Sequence, residues 1–250
     1  MAPELFLVLV YLAGGFIQGL AGFGSALLII PLSLFMFDLK VAVPVSILGC
    51  SVLNASMCWS LRKQVHRANV LPLLVGSLPG IAVGSVLMVL VPEPFMRILL
   101  GGLLLGYATW GLRGGNVHGL ILGTWAGYVA GFMSGAIGAA FSAGGPPAII
   151  YASLKGWPRD VFRGTLAGFF LASSVLIGFA ELAAGVMTRE VVLLAPWATV
   201  GIYAGGQLGV LVGRKLGETT FRRAVYLLLF AMGVLMVAQV VPALWRMLVA

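Results

Sequence analysis

The chain has 250 residues, of which 61% are hydrophobic and 9% charged, with a mean hydropathy of +1.10 and a net charge of +8. Soluble domains carry about 25% charged residues, so the composition excludes an ordinary water-soluble enzyme or binding module and makes a bilayer the default solvent. The lysines and arginines fall between apolar runs, which is the pattern of membrane orientation and not of a nucleic-acid-binding face.

The chain begins Met1-Ala2-Pro3-Glu4, without the basic start of a secretory signal, so the apolar stretch that follows is read as structure. Residues 5–37 carry no charged side chain. Residues 41–61 and 68–92 are likewise uncharged, and 94–112 is interrupted only by Arg97. A second long uncharged stretch covers 114–154. Residues 164–180 continue past Glu181 to 187, and 191–213 and 224–245 complete the series. About 20 apolar residues cross a membrane as a helix, so the six shorter runs predict six crossings.

The two long stretches are different. As single straight helices they would be about 50 and 60 Å long, against a hydrocarbon core of about 30 Å. Each is broken by glycine: Gly14-Gly15, Gly19, Gly22-Phe23-Gly24-Ser25 in the first, and Gly131, Gly135, Gly138, then Ser142-Ala143-Gly144-Gly145-Pro146-Pro147 in the second. Glycine favours loops and close backbone approach, and Pro-Pro kinks a helix. Each stretch is therefore read as a helical hairpin with a glycine-rich tip, kept away from lipid because irregular backbone at membrane depth needs protein or water around it.

The halves repeat. Gly15, Phe16, Gly19, Gly22 and Pro31 recur 116 positions later as Gly131, Phe132, Gly135, Gly138 and Pro147. Gly80, Gly84, Glu93 and Arg97 match Gly205, Gly209, Glu218 and Arg222 at a spacing of 125. The predicted fold is all-α and polytopic, with one repeat over 1–113 and another over 114–250, each a hairpin (about 5–37 and 114–154) followed by three spans. A returning hairpin plus three crossings turns the second half upside down. That arrangement gathers Arg62, Lys63, Arg67, Arg113, Lys155, Arg159, Arg163, Arg214, Lys215, Arg222 and Arg223 on one side, leaving Lys40, Arg97, Arg189 and Arg246 on the other. Parallel eight-span repeats divide the same charges far more evenly, so the positive-inside rule favours inversion. It puts both termini outside the cytoplasm. Trp59, Trp110, Trp157 and Trp245 fall near span ends, as an aromatic belt requires.

Inverted repeats with broken segments at matching positions point to a transporter's binding site. A new helical arm should begin near Ser25 and another near Pro146. The first N–H groups of each arm have no intrahelical partner and carry partial positive charge. Ser25 and Ser142 are read as caps, and Pro146 suits a first-turn position. Two such ends meeting near the midplane would bind an anion, although glycine stripes also serve close helix packing.

The runs Gly15-x-x-x-Gly19-x-x-Gly22-x-Gly24 with Pro31, and Gly131-x-x-x-Gly135-x-x-Gly138 with Pro147, resemble the paired motifs of the TauE/SafE sulfite-exporter family. So do Ser142-Ala143-Gly144-Gly145-Pro146-Pro147, Tyr151 and Phe162-Arg163-Gly164-Thr165-Leu166. The resemblance covers nearly the whole chain. It implies a multi-pass protein of the bacterial inner membrane that moves sulfite, a sulfonate, sulfoacetate or a related organic acid outward. It also implies a substrate site at Gly22, Phe23, Gly24, Ser25, Asn54, Ser142, Gly144, Gly145, Pro146 and Arg163. The tips depart from the family pattern: Gly22-Phe23-Gly24-Ser25 replaces a run of glycines, and Gly138-Ala139-Ala140 replaces another.

Other polar side chains admit two readings. Arg163 is a cytoplasmic anchor or a forked donor to a sulfonate or carboxylate. Asn54 is an interhelical bond or a substrate contact. Gln18 and Ser134, at matched positions, contact substrate or tie helices together. Glu181 is an interface residue before a proton carrier, and His66 and His118 are interfacial. Cys50 and Cys58 lie about 12 Å apart along one helix, too far to bridge, and no cofactor or metal set is visible. Proton or sodium coupling, and a homodimer, are compatible with this architecture. A cation channel or carrier would need pore-facing carboxylates, with Glu181 the only deep candidate. An intramembrane enzyme would need a nucleophile–base pair or metal cluster, and none is present in the sequence.

Overall fold

A computed structural model describes residues 2–114, 122–213, 225–238 and 240. The described residues are helical: α1 (Pro3–Ala21), α2 (Ser25–Ser33), α3 (Leu39–Ser60), α4 (Arg67–Leu90), α5 (Glu93–Leu112), α6 (Thr124–Phe141), α7 (Gly145–Leu154), α8 (Arg159–Ala183), α9 (Arg189–Gly213) and α10 (Val225–Ala238). Six of them, α1, α3, α4, α5, α8 and α9, are long and apolar enough to cross a membrane. Five answer to the short uncharged runs, and α1 is the first arm of the first long stretch. The last predicted span, 224–245, is described only as α10, and the expected repeat partners Glu218 and Arg222, like His118 and Trp245, lie outside the described residues.

Each long stretch resolves into one long helix and one short one. α1 has 19 residues and α2 has 9; α6 has 18 and α7 has 10. At 1.5 Å per residue the short arms span only about 14–15 Å, half of a hydrocarbon core. The chain doubles back across each break. The ring of Phe6, near the start of α1, lies 6.4 Å from that of Phe37, just past α2. At the other break, a Cβ on Gly127 in α6 would lie 3.1 Å from the Tyr151 hydroxyl in α7.

The largest contacts are made by two helix pairs: α1 packs along α9, from the other end of the described chain, and α4 along α6. Both seams are built from glycine. A Cβ on Gly15 or Gly19 would overlap the backbone carbonyls of Ile202 or Gly206, and one on Gly205 or Gly209 those of Leu12 or Phe16. In the other seam, Gly131 and Gly135 face the carbonyls of Leu73 and Ser77, while Gly76, Gly80 and Gly84 face those of Tyr128, Phe132 and Ala136. Backbones this close gain dispersion and Cα–H···O contacts in place of the hydrophobic effect, which lipid does not supply between helices.

The two seams are spaced alike along the chain. Phe16 and Phe132, 116 apart, face Gly209 and Gly80, which are 129 apart. The two seams therefore match at a spacing of 129 between α4 and α9, one helical turn beyond the 125 of the Gly80/Gly205 and Gly84/Gly209 identities. Glycines four apart in both helices make the two registers look alike in sequence. A third pairing joins α5 to α10, where Gly101 meets Gly233 and Val237, and Tyr107 stacks edge-on against Tyr226 at 5.6 Å.

α3 is the most enclosed crossing helix, with 61% of its apolar stretch buried against 33–44% for the others. It contacts α2, α6, α8 and α9. The outward faces of α4 and α9 carry exposed Leu71, Val86, Leu90, Leu193, Val200 and Leu211, as a lipid boundary requires. Arg97, bonded to Glu93 on its own helix, also donates to the Leu34 carbonyl at 3.3 Å and so ties α5 to the C-terminal end of α2.

Candidate functional site

The two breaks meet at one cavity beside α3 and α8. At the first, α1 stops because Gly22 turns left-handed at φ 89°, and Gly24 repeats that conformation at φ 95° before α2 begins. Side chains rarely adopt such angles, so glycine is required here. At the second break Ser142 takes the left-handed conformation at φ 56°, then Gly144 leads into α7 with Pro146 in its first turn.

The arms begin where the sequence predicted, but the capping residues differ. Gly24 and Gly144 occupy the N-cap positions, and neither α2 nor α7 has a side-chain cap. Ser25 is inside α2, and its hydroxyl donates to Gln18 Oε1 instead. Ser142 closes α6, its N–H donating to the Gly138 carbonyl at 2.7 Å. The uncapped first turns of both short helices line the cavity, through Gly24, Ser25, Ala26 and Leu27 on one side and Gly144 and Gly145 on the other.

A chain of hydrogen bonds runs through α3 and links the breaks. Gln18 Nε2 donates to Asn54 Oδ1 at 2.7 Å, and Ser25 meets Cys50 Sγ at 3.5 Å. Cys50 contacts Ser46 at 3.6 Å, and Ser142 Oγ donates to Ser46 Oγ at 3.0 Å. Ser134, the positional counterpart of Gln18, is 3% exposed, lines the cavity, and has a hydroxyl without a hydrogen-bond partner. Buried hydroxyls are normally paired, so this one is a donor left over for something in the cavity.

Of the residues expected at the site, Phe23, Gly24, Ser25, Asn54, Ser142, Gly144 and Gly145 line the cavity. Gly22, Pro146 and Arg163 do not. Gly22 is buried beneath Arg163, whose Nε would lie 3.2 Å from a Cβ placed there. The half-buried Arg163 therefore packs on the back of the first break. Pro146 is buried in α7 packing.

Sequence reasoning passed over the α8 wall, formed by Phe169, Phe170, Ser173, Ser174 and Ile177, and over Ile47 and Cys50 of α3. The adjacent hydroxyls of Ser173 and Ser174, midway along an uncharged run, were the available signal. In the structure each bonds a carbonyl three residues back, Phe170 and Leu171 respectively.

No Asp, Glu, Lys, Arg or His lines this cavity among the described residues. Its polarity comes from hydroxyls, two amides, one thiol and the two helix starts. The centres of water-sized molecules can occupy about 70 Å³ of it. One water needs about 10–15 Å³ on that measure, so the space holds on the order of five waters or one small ion. On its far side the first break borders a smaller apolar pocket, lined by Ile17, Phe23, Leu27, Tyr107, Tyr226 and Leu229 among others.

No group of three or more His, Cys, Asp or Glu capable of holding a metal occurs among the described residues. No curated protein and no solved structure matched the chain. The family model for the sulfite exporter TauE/SafE matches residues 7–236, nearly the whole length and both breaks included. That family is one of membrane anion transporters, so the chain moves a solute and is not an enzyme. With its crossing helices and a match of this extent, the chain belongs to the TauE/SafE sulfite exporter family.

Proposed function

We propose that the protein is a secondary transporter that exports a small anion such as sulfite, a sulfonate, sulfoacetate or a related organic acid. The anion binds between the two glycine-rich breaks. One observation carries this reading: two short helices, both without side-chain caps, open onto the same uncharged cavity. Each helix start contributes about 0.3–1 kcal/mol toward a negative charge at exposed sites and up to about 2 kcal/mol where partly buried. The Ser134 hydroxyl adds a free donor. With no fixed cation in the lining, an anion is held by dipoles alone, strongly enough to enter and weakly enough to leave. The lining also lacks the carboxylates that a cation path needs.

In this reading the halves are inverted repeats, 1–113 and 114–250, each a re-entrant hairpin followed by three crossings. The reciprocal α1–α9 and α4–α6 seams and the doubling back at Phe6/Phe37 support it. Positive-inside charge then puts both termini outside the bacterial inner membrane. Arg163 holds the first break in shape from behind. An inside-negative potential drives anion exit by about 2.3 kcal/mol per charge per 100 mV.

The reading is tested by flux in proteoliposomes with sulfite, sulfoacetate, taurine, acetate and sodium. Saturable movement of a sulfur oxyanion or organosulfonate is expected. Movement of sodium alone, or of nothing in the panel, would remove the anion site from the cavity.

A further inference from the structure

Glu181 lies on α8, one turn beyond the cavity-lining Ile177 and on the same helical stripe as Phe170 and Ser174. It is 1% exposed, and neither of its carboxyl oxygens has a hydrogen-bond partner. The charged groups on elements packed against α8 are Lys40 of α3 and Arg67 of α4, both exposed; Lys40 donates to the Val89 carbonyl. α6 and α7 carry no charged residue. The other titratable groups are Cys50, engaged with Ser25 and Ser46, Cys58, the exposed Tyr128, and Tyr151, edge-on to Trp157. Arg189 and Glu190, beyond the following loop, are exposed, and Arg163 is more than four turns away on α8 itself. The only ion pair among the described residues joins Glu93 and Arg97. Among the described residues Glu181 therefore has no countercharge.

A carboxylate without partners in a dry interior is far costlier than a neutral carboxyl, and such a group inside a crossing helix is a functional site by default. We infer that Glu181 is a proton-binding site that couples anion movement to proton movement. The inference rests on the anion-transport reading. Glu181 lies roughly 6 Å along α8 from Ile177, close enough for an anion in the cavity to repel a carboxylate there. The anion therefore favours the protonated form, and by reciprocity the protonated form favours the anion. Anion and proton bind together and cross in the same direction; a dianion such as sulfoacetate then still carries one net negative charge, so the inside-negative potential still favours its exit.

The test uses purified protein in sealed proteoliposomes, with radiolabelled sulfoacetate and sulfite as probes and a pH-sensitive dye in the lumen. Wild type is expected to acidify the lumen as the anion enters, and an acid exterior should speed net uptake at least severalfold. Glu181→Gln should keep anion-for-anion counterflow within about twofold of wild type while net uptake loses its response to the pH gradient. That split separates coupling from folding, because a merely structural role would lower both activities together. If wild type shows counterflow but net uptake moves no protons and ignores the gradient, the proton site is wrong and the anion carrier stands. If Glu181→Gln still moves protons with the anion, Glu181 is not the site. If wild type shows no counterflow with either anion, the transport reading falls and the coupling falls with it. Should Glu181→Gln fail to fold, the wild-type dye measurement alone decides whether protons accompany the anion.

Discussion

The two breaks that meet at the cavity look alike in sequence and use glycine for opposite reasons. At the first, Gly24 has room for a side chain: a Cβ there would find only Leu27 Cδ1, at 3.9 Å. What demands glycine is its φ of 95°. At the second, Gly144 has an ordinary φ of −68°, but a Cβ would overlap the Ser134 carbonyl and come within 3.0 Å of Gly138 Cα. The left-handed position there is filled by Ser142, whose hydroxyl is needed for the bond to Ser46. One break is set by torsion and the other by space. A glycine count cannot separate them; only the backbone angles and the neighbouring carbonyl do.

The sharpest way to break this comparison is to substitute both glycines in parallel. Gly24→Ala carries a left-handed penalty of about 1–2 kcal/mol, which Gly24→Asn relieves because asparagine tolerates that region. Gly144→Ala and Gly144→Asn both force overlap and should cost about 1–3 kcal/mol or more. Thermal unfolding in detergent, read beside flux, should show partial rescue by asparagine at position 24 and none at 144. Equal rescue at both positions would erase the distinction.

Next in size is Asn54→Ala, which strips Gln18 Nε2 of its oxygen acceptor, leaves it only the Met57 Sδ contact at 3.7 Å, and loosens the first break. Leaving a buried donor unpaired costs about 1–3 kcal/mol, so apparent anion affinity should fall by about tenfold or more. An unchanged half-saturating concentration would make Asn54 a structural tie only. Arg163→Gln probes the first break from behind. It should lower the maximal rate severalfold and leave half-saturation unchanged; a raised half-saturation would put the guanidinium on the anion after all. Ser134→Ala removes a lone hydroxyl whose loss leaves nothing unpaired. The expected change is a rise of roughly three- to tenfold in half-saturation, in line with one hydrogen bond of about 0.5–1.5 kcal/mol, with thermal stability unaffected.

Much of the fold was legible because membrane burial writes itself in uncharged runs. Five of the six short runs became crossing helices with ends close to those expected, and the charge-free stretches broke at their glycines. The spacing of 129 that matches the two seams was not legible. Glycines spaced by four in α4 and α9 fit both 125 and 129, and only the carbonyls facing them choose. At the site, the sequence found the breaks because glycine and proline mark them. It assigned caps to Ser25 and Ser142 because serine favours that role, yet Gln18 and Ser46 offered those hydroxyls other partners. The α8 wall was missed because phenylalanine and isoleucine in a crossing helix look the same whether they face lipid or a cavity. Glu181 stood out in sequence as the one deep carboxylate, but its lack of any partner is a fact of packing.

Cys50 offers the most direct test that the anion sits between the two breaks. It lines the cavity between Ser25 and Ser46, and the second thiol, Cys58, is removed by Cys58→Ser. The rate at which a small thiol reagent modifies Cys50 is then followed in lipid, with and without an organosulfonate that flux shows to be carried and that does not itself react with the reagent. The anion should slow modification saturably, with half-protection near the concentration that half-saturates transport, while matched sodium chloride has little effect. Modification indifferent to a transported anion would place the binding site elsewhere in the molecule.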